Sequence, residues 1–185
     1  MTFQEMIDVI LEENRCLAQN INDEAAEDFI RRILNAESIF FSAQGRSGFI
    51  LRCFCMRLMH LGYSVYFCGE TVTPAITGND LLIVLSGSGE TPSTFEAVKS
   101  AKQHNTETFG ILGNMESKIA SLVDKSLHIP GTTKLWRDGE PNSLQMAGSL
   151  FEQSAFLFFE AVVSKLYQTQ KKDVGRVSSR HAIIE

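Results

Sequence analysis

Apolar residues run unbroken through 81–85 (Leu-Leu-Ile-Val-Leu), with Gly78-Asn79-Asp80 before them and Ser86-Gly87-Ser88-Gly89-Glu90-Thr91 after. A run of this length between turn residues predicts a strand covered on both faces. A helical pattern then follows, with Phe95, Val98 and Ala101 on one face. Thr91 suits its cap, and Pro92 suits its first position, where a missing N–H costs nothing. Shorter apolar runs at 38–42, 65–68, 108–112 and 126–129 predict four more strands. Phe49, Ile50, Cys53, Phe54, Leu58 and Leu61 recur at helical spacing and end at Gly62, which suits a left-handed stop. A short helix is expected over 116–122. Two amphipathic patterns precede the first strand, one from Phe3 to Leu17 and one from Ala26 to Ile33, separated by a break at 20–23.

Strands alternating with helices at this spacing predict a parallel sheet with helices on both faces, a three-layer doubly wound fold of five strands. In such sheets ligands gather at the carboxyl ends of the strands, where the chain direction switches. The last pattern, 148–167, is apolar nearly all round: Leu150, Phe151, Ala155, Phe156, Leu157, Phe158, Phe159, Val162, Val163 and Leu166. Such a helix needs cover on every face, so a second subunit is expected to supply some of it. Glu152, Gln153, Glu160 and Lys165 interrupt the run, which makes it a buried helix and not a membrane span. The 130–148 connection is polar and aperiodic. Its Lys134 and Arg137 read equally as solvated charges or as part of a lid. We expect one domain over 1–170 and a polar, basic tail over 171–185.

Composition changes this picture little. The chain has 185 residues, 44% hydrophobic and 21% charged, with net charge −5. That acidity argues against nucleic acid as the main partner. Cys16, Cys53, Cys55 and Cys68 have no Cys-x-x-Cys spacing and three lie in apolar runs, so buried free thiols in a reducing cytoplasm are expected. The start of the chain carries Glu5 and Asp8 where a secretory leader would be basic, which also points to the cytoplasm.

The loop 86–91 lies between a strand's carboxyl end and a helix's amino end. The first N–H groups of a helix have no internal partner, and the helix dipole places partial positive charge there. Glycines let the backbone curl close, and Ser86, Ser88 and Thr91 add hydroxyls. The expectation is a phosphate cradle. The loop has no Lys for a nucleotide P-loop, no third glycine for a dinucleotide site and no Gly-x-Ser-x-Gly elbow. A second glycine- and hydroxyl-bearing turn occurs at Gly45-Arg46-Ser47. Glu152, in the first turns of the apolar helix, is either a salt-bridged structural residue or a base. His60 is an acid–base candidate or a core histidine. Glu70, after a strand end, reaches a ligand or is a turn residue. The scattered histidines give no metal-ligand spacing, so no metal is expected.

Several of these stretches fall in the order of one family. Ser86-Gly-Ser-Gly-Glu-Thr91 resembles the phosphosugar loop of the sugar isomerase (SIS) domain family, whose fold is flavodoxin-like. Gly45-Arg-Ser-Gly48, Met56-Arg-Leu-Met-His-Leu-Gly62, Gly69-Glu-Thr-Val-Thr-Pro-Ala75, Gly148-Ser-Leu-Phe-Glu-Gln153 and the terminal Arg180-His-Ala-x-x-Glu185 resemble the 6-phospho-3-hexuloisomerases within it. The chain departs from that pattern at Ala43-Gln44, where Gly-Ala is usual, and at Ile183-Ile184, where Asn-Leu is usual. The resemblance implies interconversion of D-arabino-hex-3-ulose 6-phosphate and fructose 6-phosphate without a cofactor, in a homotetramer with shared sites. It implies that Ser47, Ser86, Gly87, Ser88 and Thr91 hold the phosphate. Gly45, Arg46 and Glu70 would meet the rest of the sugar, Glu152 would move the proton, and His60 or His181 would assist. Two alternatives stay open: a phosphosugar-binding module without turnover, and an isomerase of another sugar phosphate such as arabinose 5-phosphate. His181 is expected to reach a neighbouring subunit's site, carried there by the tail.

Overall fold

The structure, a computed structural model, describes residues 1–131, 140–169 and 179–180. Two helices open the chain, α1 (Phe3–Ala18) and α2 (Asp23–Asn35). Each starts at a side-chain cap. Thr2 and Glu5 form a reciprocal capping box, and the Asn22 side chain accepts from the Ala25 N–H at 2.8 Å. Then follow β1 (Ile39–Ser42), α3 (Gly45–Leu61), β2 (Val65–Phe67), β3 (Leu81–Ser86), α4 (Pro92–Gln103), β4 (Glu107–Leu112), α5 (Lys118–Leu122), β5 (Lys125–His128) and α6 (Ser149–Thr169). All strands pair in parallel, in the order β2-β1-β3-β4-β5.

β3 lies at the centre, with Leu81 opposite Ile39 of β1 on one side and Glu107 of β4 on the other. Every residue of β3 is buried, as expected of an apolar run covered from both sides. On one face, α2, α3 and α6 enclose an aromatic core. Phe54 and Phe159 stack with centroids 4.4 Å apart, and Phe29 lies 4.8 Å from Phe109. On the other face, Val98 and Ala101 of α4 and Ile119 of α5 cover Phe40, Leu82, Val84 and Leu112. From β1 the chain steps outward to β2, then returns past β1 to β3 and proceeds the other way. The reversal lies between β1 and β3, so the loops leaving those two strands diverge and leave a crevice.

Three expectations change. α6 is covered mainly from within its own chain: Leu150, Phe151, Ala155, Phe158, Phe159, Val162 and Leu166 are buried, and α6 packs on α1, α2 and α3. Only a strip including Leu157, 51% exposed, faces outward. The sequence reading overlooked that α1 and α2 form a layer over the outer side of α6. None of the four cysteines is fully buried; Cys16 and Cys53 are exposed and Cys55 and Cys68 are intermediate. An apolar neighbourhood in sequence does not decide which way a side chain faces. On α4, Thr94 takes the buried position in line with Val98 and Ala101, and Phe95 lies only partly covered.

Candidate active site

α3 and α4 begin at the ends of β1 and β3, on either side of the crevice. Their caps, Gln44 and Thr91, make no side-chain hydrogen bond to their own helices. The caps of α1, α2 and α5 behave differently, with Thr2, Asn22 and Ser117 each accepting from a backbone N–H. Two helix N-termini therefore present their first N–H groups, unmasked by side-chain caps, towards one cavity of about 140 Å³. Gln44, Gly45, Arg46 and Ser47 line it from α3, and Leu85, Ser86, Gly87, Ser88 and Thr91 from the β3–α4 loop. Gly148, Phe151 and Glu152 at the start of α6 close it.

The loop holds its shape through its own hydroxyls. Ser86 Oγ accepts from the Gly89 N–H at 3.0 Å and lies 3.3 Å from Thr91 Oγ1, and Ser88 Oγ accepts from the Glu90 N–H at 3.2 Å. Gly89 has φ +67, and a Cβ there would meet Ser117 Oγ at 1.9 Å. That site admits only glycine. Gly87 rests on the Phe151 ring, which a Cβ would approach to 3.1 Å, so the loop is fitted directly to α6.

Among the described residues, Glu152 is the only carboxylate lining this cavity. Its side chain is 8% exposed, and Oε2 lies 2.7 Å from Nε of Arg46, whose side chain is 63% exposed. Arg46 Nη1 also lies 3.5 Å from Ser149 Oγ. The cavity thus joins an anion cradle to a buried carboxylate next to an exposed guanidinium.

Of the candidates, the structure brings together Gly45, Arg46, Ser47, Ser86, Gly87, Ser88, Thr91 and Glu152. Glu70 lies elsewhere: it pairs with Arg52 beyond the edge strand β2, where Arg52 also sits 3.8 Å above the Phe67 ring. His60 is buried in the last turn of α3, so the helix separates it from its own chain's cavity by roughly 20 Å at 1.5 Å per residue. His181, Lys134 and Arg137 lie outside the described residues. Sequence reasoning missed Gln44, Gly148 and Phe151. Gly148, with φ +90 just ahead of α6, was the one with a readable signal. A second cavity, about 320 Å³ and mostly apolar, lies between α1, α2 and α6. It is the larger, but none of the cradle's groups reach it. Among the described residues no three His, Cys, Asp or Glu side chains cluster as a metal site would need, and no helix is long and apolar enough to cross a membrane.

A doubly wound parallel sheet with two helix N-termini facing one crevice at its switch point defines an α/β domain of the class whose small-molecule sites lie at that point. The SIS domain model matches residues 32–137, and the chain belongs to that family. It is 36% identical to the 3-hexulose-6-phosphate isomerase of Bacillus subtilis over the full length of both chains. It is 37% identical to the 3-hexulose-6-phosphate isomerase of Mycobacterium gastri over 91% of this chain and 84% of that one. A crystal structure of a hypothetical protein from Methanococcus jannaschii, for which the molecular function of 3-hexulose-6-phosphate isomerase was inferred, superposes with a TM-score of 0.84. The two are 33% identical, over 98% of this chain and 99% of that one.

Proposed function

We propose that this chain interconverts D-arabino-hex-3-ulose 6-phosphate and fructose 6-phosphate, the second step of the ribulose monophosphate route of formaldehyde fixation. The observation that carries this reading is Glu152, a buried carboxylate in the wall of a cavity whose other walls form an anion cradle. The names of the relatives support the choice of sugar.

The substrate's C6 phosphate sits in the cradle, held by the N–H groups of α3 and α4 and by the hydroxyls of Ser47, Ser86, Ser88 and Thr91. Glu152 takes the proton from C2 of the 3-ketose. The electron pair forms the C2–C3 double bond, and the C3 carbonyl oxygen becomes the second enediol oxygen. The proton of the C2 hydroxyl passes to the C3 oxygen, the O2 electron pair forms the new carbonyl at C2, and Glu152 returns its proton to C3. One carboxylate serves both transfers because C2 and C3 are neighbours. Arg46, beside that carboxylate, offsets the negative charge that builds up on the enediolate.

The 3-ketose cannot close a five-membered ring, since the oxygen it would need carries the phosphate. Fructose 6-phosphate is cyclic, so the reverse direction also requires ring opening. His60 lies too far along its own α3 to help in its own chain's cavity, and we assign this step to His181, carried by the tail of a neighbouring subunit. Assembly into a homo-oligomer, a tetramer by resemblance, is supported by apolar residues exposed on α3 and α6, among them Phe49, Met56 and Leu157.

The test is an assay of hex-3-ulose 6-phosphate beside arabinose 5-phosphate and heptose 7-phosphate. Conversion of the first alone is expected. Turnover of another sugar in its place, or binding without turnover, would overturn the proposal.

A further inference from the structure

The face of α6 opposite the cavity is tied to α1 by a closed ring of hydrogen bonds. The Glu13 carboxylate accepts from Ser143 Oγ at 2.7 Å, from the Leu144 N–H at 3.0 Å and from Gln145 Nε2 at 2.9 Å. Gln145 Oε1 accepts from Gln153 Nε2 at 2.7 Å, and Gln153 Oε1 accepts from Asn14 Nδ2 at 2.7 Å. Asn14 follows Glu13 on α1, so the ring closes. The buried Asn14 makes two further bonds: its Nδ2 donates to the Ile10 carbonyl at 2.9 Å, and its Oδ1 accepts from Ser154 Oγ at 3.0 Å.

Gln153 and Ser154 directly follow Glu152. The segment just ahead of α6 has no regular structure and ends at Gly148, with φ +90. Left alone, the first turn of such a helix frays. Here the ring pins that turn to α1 and pins the preceding segment to the same helix. We propose that Glu13, Asn14, Gln145 and Gln153 are positioning residues for the reaction, holding the first turn of α6 so that Glu152 faces the cradle in one place.

Two physical arguments favour positioning over mere packing. A proton-transferring carboxylate loses rate steeply when displaced, by up to about a hundredfold for about 1 Å. Moreover, the ring's bonds converge on the segment ahead of α6 and on Gln153 and Ser154, which follow Glu152, and the buried Asn14 amide would be costly to leave unpaired. The Glu13 carboxyl behaves accordingly: burial pushes it up, but the bonds from Gln145, Leu144 and Ser143 outweigh that and hold it below the ordinary carboxylate value. It accepts as an anion at neutral pH. Both α1 and α6 lie outside the residues that the SIS model matches, so the ring adds support that the matched segment lacks.

The inference rests on Glu152 as the proton shuttle, and the experiment separates the two. Gln145→Ala removes the link from the loop side, and Glu13→Gln removes the anionic acceptor. Each is expected to lower kcat about tenfold while KM and inhibition by inorganic phosphate stay within about twofold, because the cradle stands on other elements. The double variant is expected to be no worse than the more impaired single one, since both cut one ring. Hydrogen exchange at amides 149–153 is expected to quicken in Gln145→Ala while amides 87–89 are unchanged, a readout that needs no substrate. Unaltered exchange at 149–153, kcat within twofold of the parent, or a loss shared equally with phosphate affinity would overturn the inference. Should Glu152→Gln be inactive while Gln145→Ala is normal, the ring fails and the reading of Glu152 stands. Should Glu152→Gln stay active, that reading fails whatever the ring does.

Discussion

Arg46 Nε and Glu152 Oε2 stand 2.7 Å apart, although one residue starts the helix after β1 and the other the last helix of the chain. The pair bridges the cavity from its exposed rim to its buried wall. Glu152→Gln keeps the side chain's size but cannot accept a proton at neutral pH. We expect kcat to fall at least about a hundredfold, with inorganic phosphate still bound. Near-normal turnover would place the base elsewhere.

Ser88→Ala removes a cradle hydroxyl without touching the buried core. A hydrogen bond to a charged group contributes about 1.5–3 kcal/mol, so KM should rise roughly ten- to a hundredfold with a smaller change in kcat. Steady-state kinetics over a wide substrate range would expose an unchanged KM.

Gly89→Ala should cost stability as well as activity. A side chain at φ +67 is strained, and its Cβ would overlap Ser117, which itself caps α5. We expect a loss of at least about 2 kcal/mol, read as an earlier denaturation midpoint with the slope preserved. Gly45→Ala, at φ +59 but with open space around its Cβ, should cost less.

Arg180 anchors on its own chain. Nη1 donates to the His60 carbonyl at 3.3 Å, at the negative end of α3, and a Cβ on Gly62 would meet the guanidinium at 2.4 Å. Gly62→Ala should therefore destabilise twice over, through φ +90 and through displacement of Arg180. In an Arg180→Ala background only the first effect should remain, and a thermal-melt double-mutant cycle measures the difference. Additive losses would argue against the contact.

Asp124 links β4 and β5, accepting from the Thr108 N–H at 2.9 Å and from Thr108 Oγ1 at 2.7 Å, with Lys102 alongside. Burial pushes its carboxyl up, but the bonds from Lys102 and Thr108 outweigh this and hold it below its ordinary value. A carboxyl depressed on folding stabilises the fold fully above its unfolded pKa of about 3.9 and stops doing so as pH falls through the folded value. Stability of the parent should thus drop below about pH 4, and Asp124→Asn should flatten that part of the curve. Equal acid slopes in urea titrations would contradict the assignment.

How much of this the sequence revealed depends on the range of the interaction. β3 and its loop were legible because an apolar run and a glycine–hydroxyl turn are local signals. The unmasked N-terminus of α4 was only half legible: Pro92 opens the helix as expected, but Thr91 Oγ1 turns towards Ser86 and does not cap. That choice depends on a neighbour five residues away. Glu70 read like a ligand residue because it follows a strand end, yet the strand order puts it at the β2 edge beside Arg52.

What the sequence determined by itself was the alternation of strands and helices, the glycine-bearing cradle and a carboxylate at the head of the last helix, since each is written in neighbouring residues. Only the tertiary structure decided that β1 and β3 are adjacent, which puts two helix N-termini on one cavity. It also decided that α6 folds back to set Glu152 against Arg46, and that Glu13 and Asn14, some 140 positions earlier, support the helix carrying it. The physical reason is that strand order and helix docking are set by burial summed over the whole core, to which each residue contributes little, while a turn or a cap is set by a few atoms close together in the chain.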